Sequence, residues 1–336
     1  MRPSQRPGSG TSRLAASIVV ACRDNGLSEV VAKDAVLGCV RSYREHMAEF
    51  SEMKVLDLWY FAVDIHMLIS SIQDPGIRRR VIKRLAQARE SSTSEGLFPK
   101  LIDDAGGSAR FKDQLPAIFH WEGHTAGEVH WEVTQAFARY RETMRPSHRM
   151  LLDHYEIMDA AVKVVGVGSV GTACWMLLLM ARGRDPLILQ VKEARASVLE
   201  GFAGKSVYPN HGERVVNGLR LMQPSSDIFL GWTEGTRGRH FYVRQLRDVK
   251  IKPLVETFGK AEMSLFSEWC GYSLALSHAR SGEPAVISGY LGKSDTFDKA
   301  LAAFSVAYAD QNEKDHAALK RAIRDGKVEA VIEKAK

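Results

Sequence analysis

Apolar residues recur at helical spacing through the first part of the chain. Leu14, Ile18 and Ala21 make one stripe, which Asn25-Gly26 interrupts. Val31, Ala35, Val36, Cys39, Val40 and Tyr43 make a second, with Ser28 placed to cap it and Glu29 in its first turn. Residues 55–67 form a further apolar element, and Asp74-Pro75-Gly76 is a turn that opens a basic helix ending near Ala88. Small and polar residues at 91–99 and 105–108 predict loops, and residues 127–158 read as helical apart from an interruption at Pro146. The texture changes at Val162. From there to Asp248 the chain is built of short runs rich in Val, Leu and Gly, bounded by Gly, Asp and Pro, which predict strands. Residues 212–222 interrupt them as one helix of about three turns. After Pro253 helices return, one over 265–279 and another capped by Ser294 with Phe297, Leu301, Phe304 and Tyr308 on one face. The layout is α+β: a loose tail at 1–12, a helical segment at 13–160, a β-rich lobe at 161–252 and a helical segment at 253–336.

Composition narrows the class. The chain has 336 residues, is 45% hydrophobic and carries 46 Lys and Arg against 40 Asp and Glu. This is globular composition, long enough for one large domain or two ordinary ones, and it excludes disordered and collagen-like chains. Cys22, Cys39, Cys174 and Cys270 are far apart in apolar surroundings with no C-x-x-C pair, so they read as free thiols in a reducing compartment. Residues 1–11 have no apolar core of a secretory signal, and the longest apolar stretch, 173–181, is too short to span a bilayer. The expectation is a cytoplasmic protein with no membrane partner. The formal charge of +6 is scattered, and its densest run, Arg78-Arg79-Arg80 with Lys83-Arg84, reads as the wet face of a helix, so no nucleic-acid partner is expected.

Candidate chemistry concentrates in Val165-Gly-Val-Gly-Ser-Val-Gly-Thr172. Gly166, Gly168 and Gly171 form a G-x-G-x-x-G with Ser169 inside it, directly after the β-like run 161–165. Bare glycine amides can approach a polyphosphate with no Cβ in the way. A glycine-rich hairpin with no ligand has the same pattern. Two ligand-binding arrangements compete. In a dinucleotide fold, residues 173–181 are a helix and Glu193 is the ribose-binding acid. In a kinase-like fold, residues 172–181 are a second strand, 186–194 a third, and Ala173 lies over the base. Lys192 favours the second, because an ammonium within Leu187-Ile-Leu-Gln-Val-Lys-Glu-Ala194 needs a carboxylate or a phosphate unless it faces water on an edge strand. Kinase-like sites supply both, the strand lysine reaching phosphates while a helix glutamate holds it. Glu213 is the first choice for that glutamate and Glu200 the second. The strand around Phe241, ending at Gln245 and Leu246, takes the place of the connector that bonds a purine edge.

Other chemistry is thin. No H-R-D-x-x-x-x-N, G-D-x-H-x-x-N, D-F-G or D-x-D cluster follows Lys192, and residues 246–250 imitate a catalytic loop only until Pro253, which stands where an Asn is needed. His120, His124 and His130 with Glu122 and Glu128 make a metal-like cluster without H-E-x-x-H, so they read mainly as ordinary surface or half-buried side chains. No G-x-S-x-G or Cys/His catalytic pair stands out.

Several strings together resemble a known family. They are VVGVGSVGT (164–172), PLILQVKEARASVL (186–199), HGERVVNGLRLMQPSSDIFLGW (211–232), FYVRQLRDVK (241–250), CGYSLALSHARSG (270–282) and GYLGKSDTFDKALAAFSVAYADQNEKD (289–315), with RLAASIVVACRDNGLS (13–28) and MAEFSEMKVLDLWY (47–60). They resemble bacterial domain-of-unknown-function family 2252 from residue 13 to about 326. The resemblance implies a fold of the protein-kinase and aminoglycoside-phosphotransferase type, with no established activity. It also implies a circular permutation, because the family's G-D-x-H-x-x-N-F-G and D-x-N-D-F-D-E motifs precede the matched segment. Residues 271–279 with His278 resemble the helix that precedes a phosphotransferase catalytic loop. This chain has neither acidic motif and so reads as N-terminally truncated, and the family's helix string places an acid nearer Asn217 than Glu213. The expectation is a kinase-like protein that holds ATP phosphates through its glycines and Lys192, holds Mg²⁺ poorly, and has little or no activity on an unidentified acceptor. The alternative is a non-catalytic kinase-like interaction module.

Overall fold

The computed structural model describes residues 8–61, 68–70, 72–92, 101–103, 109–121, 126–166, 171–182, 185–223, 226–246 and 253–330. Helices α1 (Gly8–Asp24), α2 (Glu29–Glu52) and α3 (Val55–Tyr60) open the chain. Helix α4 (Pro75–Ser92), strands β1 (Ile102–Asp103), β2 (Arg110–Phe111) and β3 (Ile118–Phe119), and helices α5 (Ala126–Glu142) and α6 (Pro146–Leu152) follow. Then come β4 (Tyr155–Lys163), β5 (Cys174–Ala181), β6 (Asp185–Ala194), α7 (Glu200–Ala203), α8 (His211–Met222), β7 (Gly231–Glu234) and β8 (His240–Gln245). Helices α9 (Lys260–Ser281), α10 (Pro284–Leu291) and α11 (Thr296–Arg324) close the chain. Two compact units result: one of residues Gln5–Phe61 with Pro253–Lys336, the other of Ala62–Lys252.

The first unit is helical. Ser28 caps α2 by accepting from the Val31 amide at 3.4 Å, and Gly26 ends the preceding turn at φ 69°. Ala35, Val36, Cys39 and Val40 pack with Ala15, Val19 and Cys22 of α1 and with Met263 of α9. Helix α9 crosses α2 so closely that a Cβ on Gly271 would lie 2.1 Å from the Cys39 carbonyl oxygen, so only glycine fits. The last helix differs from its expected form. Its cap is Asp295, with no side-chain cap bond, and the Ser294 hydroxyl instead meets Thr296 Oγ1 at 3.0 Å. Its buried stripe is Asp298, Leu301, Ala302, Ser305 and Ala309, while Phe304 and Tyr308 stack on each other outside. The small residues let α11 approach its neighbours, and Arg44 holds buried Asp298 by an ion pair at 2.9 Å.

The second unit is built on a six-stranded antiparallel sheet in the order β3-β4-β5-β6-β8-β7. Both faces are covered. Ala161, Met176, Leu178 and Ile188 pack with Ile102, Phe111 and Ile118 on one face, and Leu177, Leu179, Leu187 and Leu189 pack with Tyr140, Met144 and Leu152 on the other. Burial on both faces explains the unbroken apolar run of β5, which lacks the alternation of a half-exposed strand. Three expectations are corrected here. Strand β4 begins at Tyr155, and β1–β3 also lie in the stretch read as helical. The Ala, Met and Glu of Tyr155–Lys163 favour helix locally, and pairing with β5 overrides that preference. Strand β7 begins only at Gly231, because Asp227 folds the preceding residues by accepting from the Phe229 amide at 2.8 Å. Among the described residues, no helix is long and apolar enough to cross a membrane.

Candidate functional site

Residues directly opposite in an antiparallel ladder share a face. Lys192 stands opposite Cys174 on one side and Tyr242 on the other, and Tyr242 stands opposite Trp232. These four define the lysine face. Helix α8 covers part of it: the His211 ring lies 5.1 Å from that of His240, and the Arg220 guanidinium sits 6.0 Å over Trp232. Helix α5 covers the opposite face, where Thr233 Oγ1 donates to the Ala136 carbonyl at 2.6 Å.

The segment joining β4 to β5 carries the glycines. Gly168 and Ser169 lie outside the described residues. Gly171 has φ +76°, a left-handed conformation that favours glycine, whereas a Cβ at Gly166 would meet open space. The descending limb is tied to β6. The Ala173 amide donates to Glu193 Oε2 at 2.8 Å, the Glu193 amide donates to the Ala173 carbonyl at 2.9 Å, and Arg195 donates to the Gly171 carbonyl. Burial would raise the Glu193 carboxyl, but the Ala173 amide and the charges of Arg195 and Arg239 hold it below its ordinary range. Glu193 is therefore an anchor of the glycine turn and not a ribose-binding acid. A strand, not a helix, follows the glycines, so the dinucleotide arrangement is absent.

Lys192 is half-buried. It forms no ion pair with Glu213 or Glu200 or any other carboxylate among the described residues. The Glu213 amide bonds the capping Asn210 carboxamide, and Glu200 Oε1 accepts from the Ser197 amide at 3.4 Å. Neighbouring polar groups gather instead around Cys174. Buried Gln190 donates to its sulfur at 3.5 Å and accepts from Arg244 Nη2 at 3.0 Å. Burial pushes the Cys174 thiol up, while Lys192, the Gln190 bond, Lys163 and Arg244 draw it back. Three cations thus bear on one point of the lysine face.

The two connector residues named from the sequence have their amides engaged. The Leu246 amide bonds the Ile188 carbonyl at 2.9 Å and the Gln245 amide bonds Asp227 Oδ2, so neither N–H is open to a base edge. Residues 247–250 lie outside the described residues. So do His124 and Glu122, and the side chains of His130 and Glu128. His120 is held between Asp113 at 2.8 Å and Asp159 at 3.0 Å, which occupies both ring nitrogens and leaves none to ligate a metal.

Sequence reasoning found Lys192 and the glycines but missed Gln190, Arg244, Tyr242 and the Glu193–Arg195 clamp. The signal that could have found them is strand parity: Gln190 and Lys192 are two apart on β6, so they share a face, and Glu193 does not.

The comparisons with known proteins agree on the family level alone. No curated protein and no solved structure matches the chain. The sequence profile of one family, described as an uncharacterised protein conserved in bacteria, matches residues 10–322, and the chain belongs to that family.

Proposed function

We propose that the lysine face of the second unit binds the phosphates of a nucleoside triphosphate, ATP in the first instance, in a kinase-like manner. The observation that carries this reading is the Lys192 ammonium: half-buried, without a carboxylate among the described residues, and beside Lys163 and Arg244. A half-buried cation in that state lacks a counter-charge, and a polyphosphate supplies one. The strand plan supports it. A glycine turn joins the first two strands of the β4–β8 series, the lysine sits on the third, a helix separates the third from the fourth, and the fifth pairs between third and fourth. This is the setting in which a strand lysine meets phosphates under a glycine loop. Gly166 and Gly171 flank that loop. Glu213, on the helix over the same face, is the partner this reading assigns to Lys192 once the helix turn carrying it moves closer. The acids that would hold Mg²⁺ are not among the matched strings, so the metal is bound weakly and phosphoryl transfer to an acceptor is slow or absent.

Isothermal titration of the purified chain with ATP checks this. Weak binding is expected, nearly independent of Mg²⁺ and abolished by Lys192→Ala. Unchanged affinity in that variant overturns the role of Lys192. A second reading, a non-catalytic interaction module on the same scaffold, draws on the occupied amides of Gln245 and Leu246. It expects no thermal shift with any nucleotide.

A further inference from the structure

The opposite face of the sheet carries a cavity of about 800 Å³ between the strands and α5. It borders the nucleotide reading at Gly171, Ala173 and Cys174, but Lys192, which carries that reading, does not line it. Its floor is Ala160, Leu177, Val191 and Val243, and its roof is Val133 and Phe137 of α5. The polar groups that reach the interior are already satisfied. Tyr140 donates to the Phe229 carbonyl at 2.6 Å and Thr233 to the Ala136 carbonyl. A guest there must therefore present an apolar body, since a polar one would lose its water and gain no partner.

The mouth differs from the interior. It opens at the sheet end where the β4–β5 and β7–β8 connections lie together, as the register of Val162 with Trp175 and of Glu234 with His240 requires. Arg237 and Arg239 stand on the second of these connections. Arg239 is oriented by the Phe241 ring 5.7 Å away and by Glu193 at 3.7 Å. Exposed Arg237 makes no hydrogen bond or ion pair among the described residues. Glu132, the acid of the rim, is engaged by Thr236 Oγ1 at 2.9 Å. Trp121 closes one side, its ring 6.4 Å from that of Trp175. An apolar chamber of this volume with a few charged groups at one end is the ordinary form of a small-molecule site.

We propose that this cavity binds an apolar carboxylate, its hydrocarbon body under α5 and its carboxylate at Arg237 and Arg239. Titration calorimetry with dodecanoate below its micelle concentration tests it, with dodecanol and hexanoate as comparisons. Dodecanoate is expected to bind with a Kd in the micromolar range, and each comparison about tenfold or more weaker, the first for want of charge and the second for want of apolar surface. Ala160→Phe and Ala136→Phe, which fill the chamber, are expected to abolish binding. Arg237→Ala is expected to weaken dodecanoate severalfold, towards the affinity of dodecanol, while leaving dodecanol binding unchanged. Because Arg237 is exposed and unbonded, that variant folds even where the filled ones do not. Lys192→Ala is expected to leave dodecanoate binding unchanged, which separates this site from the nucleotide site. Equal affinity for dodecanol and dodecanoate in the unaltered chain, undiminished binding in a folded filled variant, or an unaffected Arg237→Ala variant overturns the proposal.

Discussion

Lys192 and Glu193 are neighbours on β6 with opposite duties, and parity alone separates them. Lys192 stood out in the sequence because an ammonium in an apolar run is costly and demands an explanation. Glu193 stood out only as a ribose-binding acid in the dinucleotide arrangement, because its spacing from the glycines suited that role. Only the register shows that it turns to the other side and grips the Ala173 amide. The same limit applies to His278, which sequence analysis placed on a helix at 271–279 resembling the one before a phosphotransferase catalytic loop. It lies in the first unit with Nδ1 2.9 Å from the Tyr43 hydroxyl. Burial lowers its pKa from the ordinary value of 6.5. The folded state therefore binds fewer protons there than the unfolded state, so its contribution to stability is present above about 6.5 and declines as pH falls below that. Melting of the chain at pH 7.5 and pH 5.5 should show a loss in acid that is reduced in His278→Gln. An identical pH dependence in that variant would exclude His278 as the source.

At the scale of elements, helices with clear stripes were legible and strands less so. The α1–α2 break and the Ser28 cap depend on three or four adjacent residues, and the sequence states them directly. The start of β4 depends on pairing with a strand some twenty residues away, which no local propensity encodes. Helix α11 failed differently: the aromatic stripe drew attention, but the small-residue stripe beside it is the one that is buried. The glycine turn divides likewise. Gly171→Ala should cost about 1 kcal/mol, because its left-handed φ penalises a Cβ. Gly166→Ala should leave stability within about 0.5 kcal/mol, since its Cβ would meet nothing within 4 Å. Thermal denaturation distinguishes them. A fall in ATP affinity for a Gly166→Ala chain of unaltered stability would then report a ligand approaching that amide.

At the scale of the whole molecule, sequence analysis divided the chain serially, whereas the first unit takes residues from both ends of the chain. A serial reading cannot see this, because nothing in residues 8–61 names residues 260–324 as their partners. The core shows it: Cys22 and Val36 pack with Met263, Leu301 and Ala302. Deleting α11 should therefore expose the first unit to protease while residues 62–252, with a core of their own, persist as a resistant fragment. Mass spectrometry of a limited digest reads the outcome, and loss of both parts at the same rate would contradict it. This arrangement also has a consequence during synthesis. The amino-terminal helices leave the ribosome with their apolar stripes finished but their partners untranslated. At roughly 5–20 residues per second, about 10–40 s pass before the closing helices follow. For that interval α1 and α2 present apolar stripes that pack only later against α9 and α11, and the second unit has time to fold before the first can.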